Sequence, residues 1–565
     1  MIVPDHSPVR WTDRAWLGFC FIASSVYCLL TASSIGATFD EPLDLRAAMH
    51  FWHTGSMAPL LNMGAMPLPC LVCTFPVFIA ECLRGEPFNT WTDFHDFLPM
   101  ARAMTLLFWW VLLLYSWKIA RTIGGRWAGF LTVGVITVEP TLLAHASLAT
   151  KDIAFTACFL AFAFHYQNGR DKSWRLRVLL PAVLFAVSLL AKASALSFVP
   201  ICMIVIELDR RRKWSGGWIR PFITESIQIA TIGLTIACLF CWSDWKAEPS
   251  FVEWAHSLPD GGHREGMIWV AENLRIFSNA GVGLAYQIKH NMKGHSAFIL
   301  GHDYPRAVWF YFPIALSMKM TLPVLIASLS MLSISRKLFA NWVSLSALAL
   351  LVFSFQCRVQ IGVRLVFPLM VFLIIATCAA LTNYARHSPA LRRNGIIFAS
   401  ILMLAWMSIS TVRIFPHGLT FVNEVWGGSE NAYRVISDSN YDWAQGLPEL
   451  KQWRDDNGVT SLKAWYFGTD PAIFEVAGGS QQVQDWNLKS VDEFLDRVKG
   501  NYFAVNTTQL YGSYTFRPDL RMVVEFLRMT PPIARTTTFI IYDFREVRSA
   551  VTSGTSAVPP GRASE

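Results

Sequence analysis

Charged side chains are scarce in this chain: they make up 16% of its 565 residues while hydrophobic ones make up 53%, against roughly 25% charged in soluble domains. The shortage excludes an ordinary soluble fold for most of the length, because apolar stretches long enough to cross a bilayer recur from residue 15 to residue 412. Cysteine is missing after residue 378, which excludes a disulfide framework in the polar C-terminal region. The single CxxC, Cys70 and Cys73 in "PLPCLVCTFPVF", has neither a second CxxC nor nearby histidines and reads as packing. No HxxxH or HxH spacing surrounds His145 or His302, and no DxD accompanies Asp40, so nothing in the sequence requires a metal or a cofactor. A basic polar domain is lacking as well: the net charge of +8 comes from short clusters between apolar segments, which excludes a nucleic-acid partner and reads as topology signalling.

What is present is a polytopic α-helical membrane pattern. Segments near 15–36, 100–120, 127–145, 150–167, 178–208, 222–242, 307–333, 340–356, 364–382 and 395–412 predict helices. The 178–208 segment is too long for one span and carries Lys192 at its middle, so it predicts two short helices meeting at "LLAKASAL" and about eleven transmembrane helices in all. Basic clusters fall in alternate connections, among them Arg10/Arg14, Lys118/Arg121/Arg126 and Arg210–Lys213. The positive-inside rule then predicts a cytoplasmic N-terminus in a plasma (inner) membrane, with loops 37–99 and 243–306 and everything after 412 outside. The expected organisation is a transmembrane module over 1–412, an external α/β domain over 413–548 and a disordered tail over 549–565. Within the outer loops, "LDLRAAMHFWH" and "IWVAENLRIFSNAGVGLAYQI" have the spacing of interfacial helices.

Carboxylates near hydrocarbon need water, a cation or a chemical role. Asp40 and Glu41 stand just where the first span ends, in "SIGATFDEPLDLRAAMHFWHTG". The predicted topology gathers them on the outer side with Arg102, Glu139, His145, Lys151, Asp152, Lys192, His302, Tyr304, Arg358 and Arg364. Acids mixed with cations at this depth suit an anionic headgroup held by Lys and Arg beside a carboxylate that can accept a proton. A lipid-linked sugar phosphate is such a headgroup. Its transfer needs a base for the incoming nucleophile, cations for the phosphate oxygens and positioning of both substrates. The bland reading of Asp40 and Glu41 is helix capping, worth about 0.3–1 kcal/mol, and that of Lys192 is snorkelling to an interface.

At these residues the chain resembles the GT-C superfamily of polyprenyl-phosphate-dependent glycosyltransferases, in particular its protein O-mannosyltransferase and aminoarabinose-transferase-like group, over nearly its whole length. "FDEP" looks like that group's Asp-Glu motif, "HASLATKDIAF" like its segment ending in Thr-Asp, and "LLAKASAL" like its Leu-x-Lys motif. "GHDYPRAVWFYFPIALSMKMTLP", "IGVRLVFPL" and "FVNEVWGGSENAYRVISDSNYDWAQGLPEL" look like patterns of a bacterial branch. The resemblance implies a GT-C module with an outward cavity, Asp40 as base, Glu41 as its partner in orientation or proton handling, and Asp152 lining the cavity. It further implies Lys192 on the donor phosphate and Arg364, His302 and Tyr304 on the phosphate or sugar. The implied partners are a polyprenyl-phosphate sugar, membrane lipids and an acceptor protein, lipid or glycan. Lys151 stands where a second Thr is common, and "DWAQG" replaces the usual "DWGQD".

A transporter or flippase of lipid-linked sugars is the rival reading, with the same ionisable residues serving a conduction path. No inverted repeat links the two halves of the sequence.

Overall fold

A computed structural model describes residues 9–211, 219–245, 247, 249–273, 275, 278–513 and 518–546. The chain is mostly helical. Among the described residues six helices are long and apolar enough to cross a membrane: Trp11–Ser34, Pro67–Arg84, Phe94–Gly124, Ile219–Cys241, Val363–Arg386 and Ala390–Ile414. Two bent pairs raise the number to eight, Arg126–Thr137 with Pro140–Ala146 at 68° and Tyr311–Lys319 with Leu322–Ile334 at 116°. This is fewer than the eleven spans expected from hydropathy. Proline opens the second helix of both pairs, at Pro140 and Pro323, where its fixed φ suits a helix start and its missing N–H ends the preceding ladder. Other apolar segments form short helices, such as Leu180–Ala191 and Trp342–Ser354. The Pro67–Arg84 helix lies inside what the sequence predicts as the first outer loop.

The helix Phe367–Arg386 is the centre of the membrane module, with nearly every residue from Phe367 to Ala380 buried. It packs against the helices Thr105–Gly124, Arg126–Thr137 and Trp342–Ser354. Small residues let the backbones meet: a Cβ on Gly124 would lie 2.8 Å from the Cα of Ala379, the close approach on which helix pairs in lipid depend. The expected break in the 178–208 segment is present. Leu180–Ala191 ends at Lys192, whose backbone is extended, and Ala195–Arg211 begins three residues on.

Beyond the last span, residues 415–446 form turns packed into the helical module. Asn423 donates to the carbonyls of Ser317 and Met320 at 2.6 and 2.8 Å, and the Lys319 ammonium donates to those of Leu419 and Asn440, both at 2.7 Å. A small α/β unit follows. Its four strands, β3 (Leu462–Trp465), β4 (Tyr502–Asn506), β5 (Ala534–Arg535) and β6 (Phe539–Asp543), lie in the order β3-β4-β6-β5. They come after a hairpin of β1 (Ala297–Ile299) and β2 (His302–Tyr304) earlier in the chain. The β3–β4 pair is parallel and the others are antiparallel, so β3 and β4 need a crossover, which contains the amphipathic helix Val491–Val498. Phe494 of that helix packs edge-on against Phe503 of β4, with ring centroids 5.3 Å apart. The expected disordered tail, 549–565, lies outside the described residues.

Hydrogen bonds join the 415–446 turns and the α/β unit to the chain just ahead of Asp40. Gly36 and Phe39 donate backbone N–H groups to the carbonyls of Gln445 and Trp443 at 2.9 and 3.0 Å. Asp470 accepts from the Ala37 N–H at 3.0 Å and contacts His95 at 2.7 Å, while Thr469 donates to the Phe39 carbonyl at 2.7 Å.

Candidate functional site

Asp40 opens the helix Asp40–Thr54 with Glu41 beside it, as the positive end of a helix dipole favours. Neighbouring helical residues diverge by about 100°, and the two acids go separate ways. Asp40 faces a cavity of about 810 Å³. Glu41 turns back and is fully buried, bonded by Arg102 at 2.8 and 2.7 Å, by the Thr38 N–H at 2.9 Å and by the Ala149 N–H at 2.8 Å. Glu41 therefore clasps three segments together and does not line the cavity.

Lys192 and Arg364 line the same cavity as Asp40. The break between two short helices brings Lys192 there, since its extended backbone turns the side chain off the helix axis. Arg364 sits on the turn Val363–Val366 that leads into the central helix. Its guanidinium donates to Asp40 at 3.2 Å, to Asp152 at 3.3 Å and to Ser439 at 3.0 Å, and stacks 3.9 Å over the Trp443 ring. Asp152, in the first turn of Lys151–Asn168, is buried behind the two cations and is bonded by both Lys192 and Arg364. It holds them in place from outside the lining. Lys151 is likewise bonded to Asp44, and both face the cavity. Burial pushes the Asp44 carboxyl up, with Lys151 opposing and Asp40 adding to the rise. The lining also includes the apolar Leu284, Ile288, Met292 and Phe353, interleaved in sequence with the polar Gln287, His290 and Asn291.

His302 and Tyr304 do not join this group. They lie on β2, where His302 is exposed and the Tyr304 ring packs edge-on against Phe310, and neither lines the cavity. Glu139 is buried against Thr321, bonded at 2.7 Å, and the His145 ring packs against Phe367 with centroids 4.9 Å apart. Among the described residues no three His, Cys, Asp or Glu side chains gather as a metal-ligand set.

The motif "SDSNYDWAQG" divides in a way its letters do not reveal. Asp442 is fully buried and accepts from Asn506, Thr507, the Thr508 N–H and the Ala444 N–H, all between 3.0 and 3.2 Å. It ties the turn to β4. Asp438, four residues earlier, lines the cavity and was not singled out by sequence. The only signal for it is the Asp-Ser-Asn turn chemistry around it.

Gly362 is required where it stands. Its φ is +152°, and a Cβ there would fall 2.0 Å from the Ser439 Oγ, the atom that accepts from Arg364. Gly362→Ala is expected to lose about 1–3 kcal/mol of stability, read as a lower melting temperature of the detergent-solubilised protein.

No protein-family model and no curated protein matches the chain. Solved structures give distant likenesses. ArnT from Cupriavidus metallidurans in the apo state is 14% identical with a TM-score of 0.47, over 94% of this chain and 98% of that one. ArnT from the same organism bound to undecaprenyl phosphate is 14% identical with a TM-score of 0.44, over 93% and 97%. The Archaeoglobus fulgidus oligosaccharyltransferase in the apo form is 11% identical with a TM-score of 0.46, over 89% of this chain and 71% of that one.

Proposed function

We propose that the chain is an integral membrane glycosyltransferase of the GT-C kind that moves a sugar from a polyprenyl-phosphate carrier to an acceptor on the external face of the cytoplasmic membrane. The observation that carries this reading is the meeting of Asp40, Lys192 and Arg364 around one cavity whose lining also carries apolar side chains such as Leu284, Ile288 and Phe353. The prenyl chain lies along these apolar side chains and its phosphate meets Lys192 and Arg364. Phosphate oxygens compete with Asp40 for the Arg364 fork, so donor binding frees the Asp40 carboxylate as the cations are engaged. An acceptor hydroxyl or amine then attacks the anomeric carbon from the face opposite the phosphate. Asp40 takes the proton from the nucleophile, the carbon–oxygen bond to phosphate breaks, and polyprenyl phosphate leaves with inversion at carbon.

Incubating the purified protein with a panel of prenyl-phosphate sugars and membrane or envelope acceptors, followed by mass analysis, tests the reading. A glycosylated product with released polyprenyl phosphate is expected from at least one donor; a panel that yields neither product nor binding overturns the proposal. Lys192→Met is expected to weaken carrier binding by about tenfold or more, the worth of one charge-assisted hydrogen bond. Binding of a short-chain prenyl phosphate measures it.

A further inference from the structure

Among the described residues, every Lys and Arg that lines the cavity is paired with a carboxylate, and the two histidines on it, His290 and His295, stand ring to ring with burial holding both below the usual imidazole range. Lys192 is paired with Asp152, Arg364 with Asp152 and Asp40, and Lys151 with Asp44. Those three cations already face three carboxylates. Asp438 is a fourth acid on the same cavity, and among the described residues it has no Lys, Arg or His nitrogen within 4 Å. Its nearest support is a backbone donor, the Ser439 N–H at 2.6 Å. The turn fixes it there: its φ is +57°, and its carbonyl accepts from the Tyr441 and Asp442 N–H groups at 2.8 and 3.0 Å.

An anionic phosphodiester entering this cavity adds a second uncompensated negative charge in a partly enclosed space, where charges interact far more strongly than in water. A proton is the smallest charge that can relieve this, and the unpaired acid is where it costs least. We propose that Asp438 is a further donor-binding residue, taking up one proton from water as the donor's phosphodiester enters and facing it as a neutral, hydrogen-bond-donating carboxyl. This rests on the glycosyl-transfer reading above.

The surroundings support the assignment. Burial pushes the Asp438 carboxyl up to about 7; Arg364 and the Ser439 N–H oppose the rise, and Asp40 and Asp442 add to it. From the helix Tyr311–Lys319, the Tyr311 hydroxyl and Lys319 are both held by Asn440, through its side chain and its carbonyl. The packed turn Gly418–Thr420 brings no titratable side chain. A bound anion raises the acid further, so donor binding takes up a proton in the window above about 7. Affinity then falls as pH rises through that window.

The test is the binding of a short-chain prenyl phosphomannose diester, whose single charge does not titrate near neutrality, to the full-length protein in detergent. The wild-type affinity is expected to fall by up to about tenfold per pH unit above neutrality. Asp438→Asn is expected to abolish that slope and to keep at high pH the affinity that the wild type shows at low pH. Calorimetry of the wild type in two buffers of different ionisation enthalpy is expected to register proton uptake on binding, independently of any variant. An unchanged slope in Asp438→Asn, or no proton uptake by the wild type, overturns the assignment while leaving glycosyl transfer intact. No binding of any prenyl phosphodiester at any pH overturns both.

Discussion

Asp40→Asn is expected to lower sugar transfer by about a thousandfold, while the protein still binds the prenyl-phosphate carrier. The amide keeps the size and position of the side chain but cannot take a proton, and a positioned base contributes about 10²–10⁴-fold. Carrier binding is expected to survive, since in the proposed arrangement Lys192 and Arg364 meet the phosphate. Arg364 in the variant loses one of its two carboxylate partners and becomes more available to the donor. A transfer assay run beside carrier binding separates the cases. Transfer within tenfold of wild type would remove Asp40 as the base. Loss of binding together with transfer would make it a structural anchor for Arg364. A flippase predicts carrier movement with no product in either protein.

Glu41→Gln, one residue along, is expected to act on stability. The Glu41–Arg102 pair is bidentate and both side chains are fully buried. Arg102 also donates to the carbonyls of Ala32, Ile35 and Gly36 at 2.6, 3.0 and 2.8 Å. Removing one member of such a pair leaves an uncompensated buried charge and costs about 3–5 kcal/mol, enough to depress the melting temperature and the yield of folded protein. Burial alone would raise the Glu41 carboxyl, but the Arg102 guanidinium and the N–H groups of Thr38 and Ala149 outweigh it and hold it below its usual range. Its contribution is therefore fully present above the ordinary glutamate range of about 4.3 and is lost as pH falls through the depressed folded value. A variant that melts like the wild type but transfers no sugar would instead give Glu41 a part in proton handling.

These two residues show what a sequence can and cannot tell. The pair "DE" at the end of an apolar run signals charge at a membrane boundary, but adjacent helical residues point about 100° apart, and only packing decides which one meets the cavity. Lys192 was legible because a cation midway through an over-long apolar segment calls for a break. Arg364 was legible only through the motif around it, since its three partners come from distant segments, Asp40, Asp152 and Ser439. His302 and Tyr304 belong to the same kind of motif, but a two-residue turn puts them on the second strand of a hairpin, where neither lines the cavity although Phe298 of the first strand does. Asp438 and Asp442 share a motif and a residue type. Their difference, one unpaired on a cavity and the other saturated by neutral donors, arises from β4, more than sixty residues further along the chain. Fewer helices meet the length of a span than hydropathy suggests because the apolar segments 178–208 and 340–356 form helices of only 12, 17 and 13 residues, short of the roughly 20 that cross a bilayer.

The backbone bonds from Gly36 and Phe39 to Gln445 and Trp443 bear on how this chain can be cut and recombined. The residues just ahead of Asp40 are held by the C-terminal part of the chain, so the helical part and the C-terminal part are not interchangeable. A chimera that swaps the C-terminal part alone would inherit a mismatched seam a single residue ahead of Asp40, whereas one that carries residues 36–39 along with it would keep both sides of the stitch.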